Sequence, residues 1–247
     1  MRVRIYLHIT FMNYNSLFLQ VRKDVRDFLN SQVEFFSDER NLQLRLSNWL
    51  ENNGNYDSVK VEYYVPYKFL AKRDPSLSAF NFPWNSDLYI DIVVEKAGEF
   101  VPIELKYPTA DIAGSFKRFG ELINDGSLIL NGSGAHNDTC YKYWRDVRRL
   151  EALRASFSRT IVGGLAIMVT NDLSYQAAPK SQGAKYAKFA ANDGRQIRKS
   201  EDKNMSWQNE ANMKDNGHPD FLIDGTYSLK WEEMKDLPGF YFLILDV

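Results

Sequence analysis

The sequence predicts an α/β fold, in which helices cover both faces of a central mixed β-sheet in three layers. The stretch 160–172, TIVGGLAIMVTND, is almost entirely apolar, as is typical of a central strand that is covered on both faces. The stretch 88–107 alternates as two strands joined by a tight turn. Apolar residues at helical spacing lie before and after these strands.

The composition is that of an ordinary globular protein, since 247 residues with 44% hydrophobic content can bury a sizeable core. The net charge of −1 gives no bulk evidence for a polyanionic partner, so local charge must decide. Cys140 is the one cysteine, which excludes an intrachain disulfide and suits a reducing compartment. No apolar run approaches the roughly 18 residues of a membrane span. We therefore expect a cytoplasmic protein without a membrane partner.

Two amphipathic helices are predicted ahead of the strands, and the alternating stretch 59–67 after them predicts a further strand. In 18–36 the apolar residues recur at helical spacing. In 37–54, Ser37 can cap the helix and Gly54 lies just past its end. At about 100° per residue, Glu39 falls inside the apolar stripe of this second helix rather than on its solvent face. The stripe consists of Leu42, Leu46, Trp49 and Leu50.

A third helix is predicted over 141–157, and it is followed by weaker patterns. Asp146 and Tyr143 could reach a site on the sheet from this helix. The stretches 221–231 and 240–247 are expected to be two further strands. Residues 1–11 are expected to form a strand or an extension. The buried side of the third helix is marked by Trp144, Val147, Leu150 and Leu153.

The hairpin in 88–107 carries charged residues in otherwise apolar strands. A two-residue turn at Ala97–Gly98 places Asp91 opposite Glu104, with Lys106 on the same face. Ile90 and Ile92 would share the opposite, buried face. Carboxylates directly opposite one another repel, and a divalent cation such as Mg²⁺ would turn that repulsion into coordination.

The alternative is a solvated strand face on which Lys106 pairs with an acid. The neighbours on that face are bulky, which favours a site over a solvated surface. These neighbours are Tyr89, Val93 and Tyr107.

An aspartate followed, about a hairpin later, by Glu-x-Lys resembles the PD-(D/E)XK nuclease superfamily, with its restriction-endonuclease-like fold. The match is Asp91 together with Glu104 and Lys106 of IELK, although Ile90 stands where the pattern has Pro. The order of elements over 37–172 also resembles the common core of that superfamily. The resemblance does not extend to the C-terminal part. We expect a single domain, in which 1–36 is a helical extension and 173–247 is an elaboration containing additional strands.

By this resemblance, Asp91 and Glu104 would bind Mg²⁺, or Mn²⁺, with the backbone carbonyl of Leu105. Lys106 would orient or deprotonate the attacking water, and Glu39 would assist as an auxiliary ligand, unless it is only an acid at a helix N-terminus. The implied activity is metal-dependent hydrolysis of DNA, and a homodimer would suit double-strand cleavage. Two alternatives stay open: a catalytically silent nuclease-like subunit of a defence or repair system, and a plain structural domain.

Two basic segments are candidates for contact with a nucleic acid. Arg145, Arg148 and Arg149 share one face of the third helix, opposite its apolar stripe. The segment 180–199 contains Lys185 and Lys188 with interleaved aromatic residues, and we expect a flexible arm along a phosphate backbone. Each segment alone could equally be a solvated surface. DNA and RNA, and endonuclease and exonuclease activity, are not distinguished by these features.

Zinc is not expected. His8, His136 and His218 lack the spacing of metal ligands. His136, in a glycine-rich turn, could contact a substrate or make a local hydrogen bond. Cys140 is expected to be a small buried hydrophobic residue.

Overall fold

A computed structural model describes residues 16–73, 86–133, 135–208 and 218–247 of the chain. The strand or extension predicted for residues 1–11 lies outside them. Within these ranges there are four α-helices, α1 to α4, which are Ser16–Asn30, Glu39–Asn53, Tyr67–Arg73 and His136–Ser156.

The longer strands form one six-stranded sheet in the order β1-β2-β3-β8-β14-β13. The pairing of β3 with β8 is parallel and the other pairings of this sheet are antiparallel, so the predicted mixed sheet is confirmed. Its strands are β1 Ser58–Val65, β2 Leu88–Lys96, β3 Glu99–Lys106, β8 Leu165–Thr170, β13 Trp231–Glu233 and β14 Tyr241–Asp246.

Short strands pair outside this sheet, β4 with β7, β5 with β6, β9 with β12 and β10 with β11. They are β4 Ile112–Ala113, β5 Phe116–Arg118, β6 Glu121–Ile123, β7 Leu128–Leu130, β9 Gln196–Ile197, β10 Asn204–Met205, β11 Phe221–Leu222 and β12 Tyr227–Ser228.

Helices cover the two faces of the sheet, which confirms the three-layer prediction. Helices α1 and α2 pack on one face, where Val21 and Leu46 share a cluster with Ile103 of β3. Helix α4 packs on the other face, where Trp144 shares a cluster with Met168 of β8. All six residues of β8 are buried, as expected for a central strand.

The predicted helix boundaries need small corrections. Helix α2 is capped by Asp38, whose side chain accepts the backbone N–H of Asn41, and not by Ser37. Gly54 ends the helix as predicted. Helix α1 ends at Asn30 rather than Phe36. The third predicted helix begins at His136, five residues earlier than the apolar pattern indicated.

Two predictions for the strands were wrong. Helix α3 begins at Tyr67, directly after β1, where the alternating pattern suggested more strand. The stretch 221–231 is not one strand but is divided among β11, β12 and the start of β13. Turn residues in that stretch, Asp224 and Gly225, interrupt it, and both donate their backbone N–H groups to the carboxylate of Glu151.

The segment 180–199 is packed rather than a flexible arm. Phe189 and Ile197 are buried. The guanidinium of Arg195 stacks on the Trp144 ring and donates hydrogen bonds to two backbone carbonyls of the segment. The segment is held in the α4 layer by the burial of these side chains. The number of polar residues in the segment did not reveal this burial.

No helix in the described part of the chain is long and apolar enough to cross a membrane. Cys140 is buried, as predicted. Burial raises the pKa of its thiol to about 12, so the residue is an unreactive part of the core.

Candidate active site

From Ile92 to Lys96, the β2–β3 hairpin has the register that the sequence predicts, but the predicted pair of Asp91 with Glu104 is not part of the ladder. Ala97 and Gly98 form the turn, both with positive φ, 53° and 77°, as in a type I′ turn. Val93 pairs with Pro102 on the partner strand. This register places the charged residues of the two strands near one another, at the end of the hairpin away from the turn.

The regular ladder between β2 and β3 stops just before Asp91. Its last pair is Ile92 with Ile103, and beyond it the Asp91 carboxylate accepts the N–H of Leu105 at 2.7 Å. The backbone carbonyl of Asp91 accepts the Gln43 amide of α2 at 2.7 Å. Asp91 is thus hydrogen-bonded to β3 through its side chain. This bond holds the carboxylate over the end of β3.

The same interruption corrects a prediction about the strand faces. Ile90 was expected to share a face with Ile92, but Ile90 and Val93 line the same cavity and pack in the same cluster near α4. Ile92 lies in the cluster on the α1 side. The alternation therefore breaks around Asp91. On the neighbouring strand β1, Glu62 has a positive φ of 50° at the same level.

Glu104 is almost completely buried, with 3% of its surface exposed. Its Oε1 atom has no hydrogen-bond donor among the described residues, and the nearest cation is the Arg149 guanidinium at 4.0 Å. Burial raises the pKa of Glu104 well above its usual range, and repulsion from Asp146 and Asp91 adds to this. Arg149 and Lys106 attract this carboxylate, but their attraction does not outweigh the cost of its burial.

Lys106 lies within a ring of acceptors. Its ammonium is 2.6 Å from Asp146 and 3.9 Å from Glu39, and it donates a hydrogen bond to the Leu105 carbonyl at 2.7 Å. Burial alone would lower the pKa of Lys106, but attraction to Asp146 and the other carboxylates raises it above the ordinary value. The lysine is therefore a fixed cation at neutral pH.

Asp146 is the residue that the motif did not include. It lies on α4, is 1% exposed, and accepts the Arg149 guanidinium at 3.1 Å, with the Arg145 guanidinium 3.7 Å away. Burial would raise the pKa of Asp146, but Lys106, followed by the two arginines, lowers it below the usual value. The sequence held a signal, because Asp146 lies one helical turn before Leu150 and so falls inside the apolar stripe of α4.

Glu39 reaches the site from the first turn of α2. Its Oε2 atom accepts the N–H of Tyr107 at 3.0 Å, directly after β3. Its side chain is 46% exposed, so it lies at the rim, whereas Glu104 lies inside. Tyr143, the other residue considered on α4, donates its hydroxyl to the Ala166 carbonyl within the core and does not join this group.

The predicted basic face of α4 is divided by its ion pairs. Arg145 and Arg149 turn towards Asp146, whereas Arg148 pairs with Glu151 and with Asp224 of the C-terminal segment. The three side chains are 24%, 17% and 13% exposed, so ion pairs within the protein cover much of this face. The buried acids Asp146 and Glu151 and the exposed Asp224 bind these arginines, whose contact with a nucleic acid stays a prediction.

Of the two lysines predicted to contact a nucleic acid, Lys185 is exposed. Lys188 is half-buried and donates to the Glu201 carbonyl at 3.3 Å. The ring of the predicted loop histidine, His136, packs against the rings of Tyr175 and Tyr186 at tilted angles. Its pKa is lowered by burial, so it is neutral at pH 7.

The site offers two carboxylates to a divalent cation, but the backbone carbonyl that was predicted as a third ligand already accepts another hydrogen bond. Glu104 offers a buried oxygen without a donor, and Asp91 offers a second carboxylate; Mg²⁺ is commonly bound by one or two carboxylates and waters. The Leu105 carbonyl, the predicted third ligand, already accepts the Lys106 ammonium. Across the described ranges, no group of three or more His, Cys, Asp or Glu residues is arranged to hold a metal. A two-carboxylate site is what this donor set allows.

Comparisons with protein-family models, with curated proteins and with solved structures found no match to this chain. The relationship to the PD-(D/E)XK superfamily therefore remains a hypothesis, and it rests on the charged residues and on their arrangement in the fold.

Proposed function

We propose that the chain is a Mg²⁺-dependent nuclease that hydrolyses phosphodiester bonds of DNA. The observation that carries the proposal is the buried Glu104 carboxylate, beside Asp91 and Lys106, one of whose oxygens has no hydrogen-bond donor among the described residues. A buried carboxylate that is only partly compensated is costly, so such a site is expected to have a cation as its partner. Two carboxylates and a fixed lysine on adjoining strands are also the groups that metal-assisted hydrolysis requires.

Each side chain has a part in the proposed reaction. A bound divalent cation would supply the charge that polarises the scissile phosphate and acidifies a water molecule. Asp91 and Glu104 would bind that cation, and the Leu105 N–H keeps Asp91 oriented. The Lys106 ammonium would stabilise negative charge that develops on the phosphate, since it is charged throughout the physiological range. Glu39, at the rim, would hold a water.

A second candidate function is a nuclease-like subunit that binds nucleic acid without cleaving it. The contact between Lys106 and Asp146 favours this candidate, because a lysine held at 2.6 Å by a buried carboxylate is less available to a phosphate. Nucleic-acid binding alone would not require Asp91 and Glu104 to lie together, however, so hydrolysis remains the better proposal.

The decisive experiment is a cleavage assay with supercoiled plasmid, linear duplex, single-stranded DNA and single-stranded RNA. Each substrate is incubated with the protein in Mg²⁺, Mn²⁺ or EDTA. We expect metal-dependent cleavage that is lost in Lys106→Ala and in Asp91→Asn. The matched control is Asp236→Asn, which makes the same change at an exposed aspartate and should leave cleavage unchanged.

Cleavage that persists in both site variants would come from another site or a contaminant, and it would overturn the assignment. Binding of an oligonucleotide without cleavage of any substrate would favour the silent subunit. If calorimetry also detected no Mg²⁺ or Mn²⁺ binding to the wild-type protein, the catalytic proposal would be abandoned.

A further inference from the structure

A narrow projection follows the candidate active site along the chain. We call residues 112–130 the β-arm. Strands β4 and β7 pair at its base, and β5 and β6 pair at its tip as a separate two-stranded ladder. Thirteen of its nineteen residues are exposed, and Leu130, at the base, is buried in the core. The tip is thus held by its own hairpin bonds rather than by packing against the sheet.

The base of the β-arm is fixed beside the end of β3. The N–H of Thr109 donates to the Ser133 hydroxyl, and the Thr109 hydroxyl donates to the Asn131 carbonyl. The N–H of Gly132 donates to the Asp111 carboxylate. These bonds close the two ends of the arm against each other. The projection therefore starts from a defined place, a few residues after Lys106.

The tip exposes an aromatic ring at a position that disfavours one. Phe119 is fully exposed. Phe119 and Gly120 have φ of 51° and 87°, the geometry of a two-residue type I′ turn, whose first position favours Asn, Asp or Gly. A bulky residue with positive φ is strained, and an exposed ring gains nothing from burial. Strained residues of this kind concentrate at functional positions.

Two cations directly precede Phe119 in the sequence. Lys117 and Arg118 are exposed, and neither forms an ion pair within the part of the chain that the structure describes. The Arg118 guanidinium lies over the Phe116 ring, 4.7 Å from its centroid. Exposed aromatic rings together with lysine and arginine are the combination with which proteins bind unpaired nucleic acid, by base stacking and phosphate contact.

We propose that the β-arm binds an unpaired segment of the nucleic-acid substrate, with Phe119 stacked on a base and Lys117 and Arg118 against the flanking phosphates. The choice of a nucleic acid as partner rests on the proposed function. Phe119 follows Lys106 by thirteen positions. A chain of that length spans at most about 45 Å. The ring and Lys106 are therefore close enough to contact one substrate strand at the same time.

The test uses 20-nucleotide single strands that carry one 2-aminopurine, which is moved along the sequence. Stacking on an aromatic ring changes the fluorescence of this base. The wild-type protein is titrated in EDTA, so that binding is measured without cleavage. We expect a fluorescence change at a small set of positions. Phe119→Asn should abolish that change and weaken binding by about tenfold or more. Phe119→Trp should retain both.

The melting temperature of Phe119→Asn shows whether Phe119 serves binding or the stability of the fold. Phe119→Asn suits the turn better and removes an exposed ring, so its melting temperature should not be lower than that of the wild type. The matched control is Leu19→Gln, which removes a half-exposed apolar side chain on α1 and should leave binding unchanged.

Three further outcomes would overturn the inference. One is that Phe119→Asn binds as tightly as the wild type while the wild type still cleaves, which leaves the proposed function intact. Another is a wild-type dimer, seen by sedimentation, that Phe119→Asn dissociates, since the β-arm would then bind a second copy of the chain. The last is a wild type that neither binds nor cleaves any strand, in which case the proposed function fails with it.

Discussion

The Lys106 ammonium and a carboxylate oxygen of Asp146 lie 2.6 Å apart and join the centre of the sheet to helix α4. Asp146 also accepts Arg149 at 3.1 Å, so one buried carboxylate is shared by cations from two elements. Among the described residues, the one cation within 4.0 Å of its neighbour Glu104 is Arg149, at 4.0 Å. The positive charge of the site therefore lies closer to Asp146 than to Glu104.

Asp146→Asn should destabilise the protein strongly. Removing one partner of a buried ion pair leaves the others without compensation, and we expect the free energy of unfolding to fall by about 3 kcal/mol. Urea denaturation monitored by tryptophan fluorescence measures this change. The matched control is Asp27→Asn, which breaks the exposed Lys23–Asp27 pair and should cost less than about 1 kcal/mol. Equal losses in the two variants would show that the Asp146 network contributes nothing beyond a surface pair.

Glu104→Gln should have the opposite effect on stability. The Glu104 pKa is raised in the folded protein, so its contribution is most favourable below the ordinary carboxyl pKa and is lost as pH rises through the raised value. Above the raised pKa, where Glu104 is ionised, replacing its charge should raise the free energy of unfolding by about 1 to 3 kcal/mol.

Thermal unfolding between pH 5 and pH 8 tests this expectation. Glu104→Gln should flatten the fall in stability with rising pH, and saturating Mg²⁺ should stabilise the wild type more than the variant. A variant that melts below the wild type at pH 8 would show that Glu104 is already compensated, which would also weaken the case for a cation.

Local rules explain which parts of the fold could be predicted. The register of the β2–β3 hairpin follows from the Ala97–Gly98 turn, and the buried strand β8 follows from an uninterrupted apolar run. These features depend on residues that are close in sequence. From the same register, the sequence could also predict that Asp91, Glu104 and Lys106 occupy one hairpin.

Long-range contacts explain which parts of the fold could not be predicted from the sequence. The division of 221–231 into short strands depends on Glu151, which lies more than seventy positions away and accepts two backbone N–H groups of the turn. The ion pair of Arg148 with Asp224 is likewise distant in sequence. The break in alternation at Asp91 arises from side-chain bonds to Leu105 and from Gln43, which no period-2 pattern contains.

Adjacent glycines before β8 should respond differently to alanine. A Cβ on Gly163 would lie 2.4 Å from the buried ring of Phe18, so Gly163→Ala must displace α1 and should cost about 1 to 3 kcal/mol. A Cβ on Gly164 would meet Leu150 at 3.4 Å, close to an ordinary contact, and Gly164→Ala should stay within about 0.5 kcal/mol. Urea midpoints of the two variants measure the difference. Similar midpoints would mean that α1 is not packed against the sheet as described.

Arg148→Ala should separate stability from nucleic-acid binding. Arg148 is 13% exposed and bonds Asp224 at 2.7 Å, so its loss should lower the free energy of unfolding by about 1.5 to 3 kcal/mol. Because its guanidinium is bound to protein acids, the dissociation constant for an oligonucleotide should change less than twofold. Lys185→Ala, at an exposed lysine, should leave stability within about 0.5 kcal/mol. If Lys185 contacts a phosphate, this variant should also reduce by about one the slope of log affinity against log salt.

Fluorescence anisotropy at several salt concentrations, together with urea denaturation of the same preparations, distinguishes the two roles. If Arg148→Ala loses more affinity for the oligonucleotide than Lys185→Ala does, the Arg148 side chain leaves Asp224 to bind phosphate. The Asp224→Asn variant then decides the point. If Asp224 competes with phosphate for Arg148, removing its charge should strengthen binding, whereas a purely structural ion pair predicts lower stability and unchanged affinity.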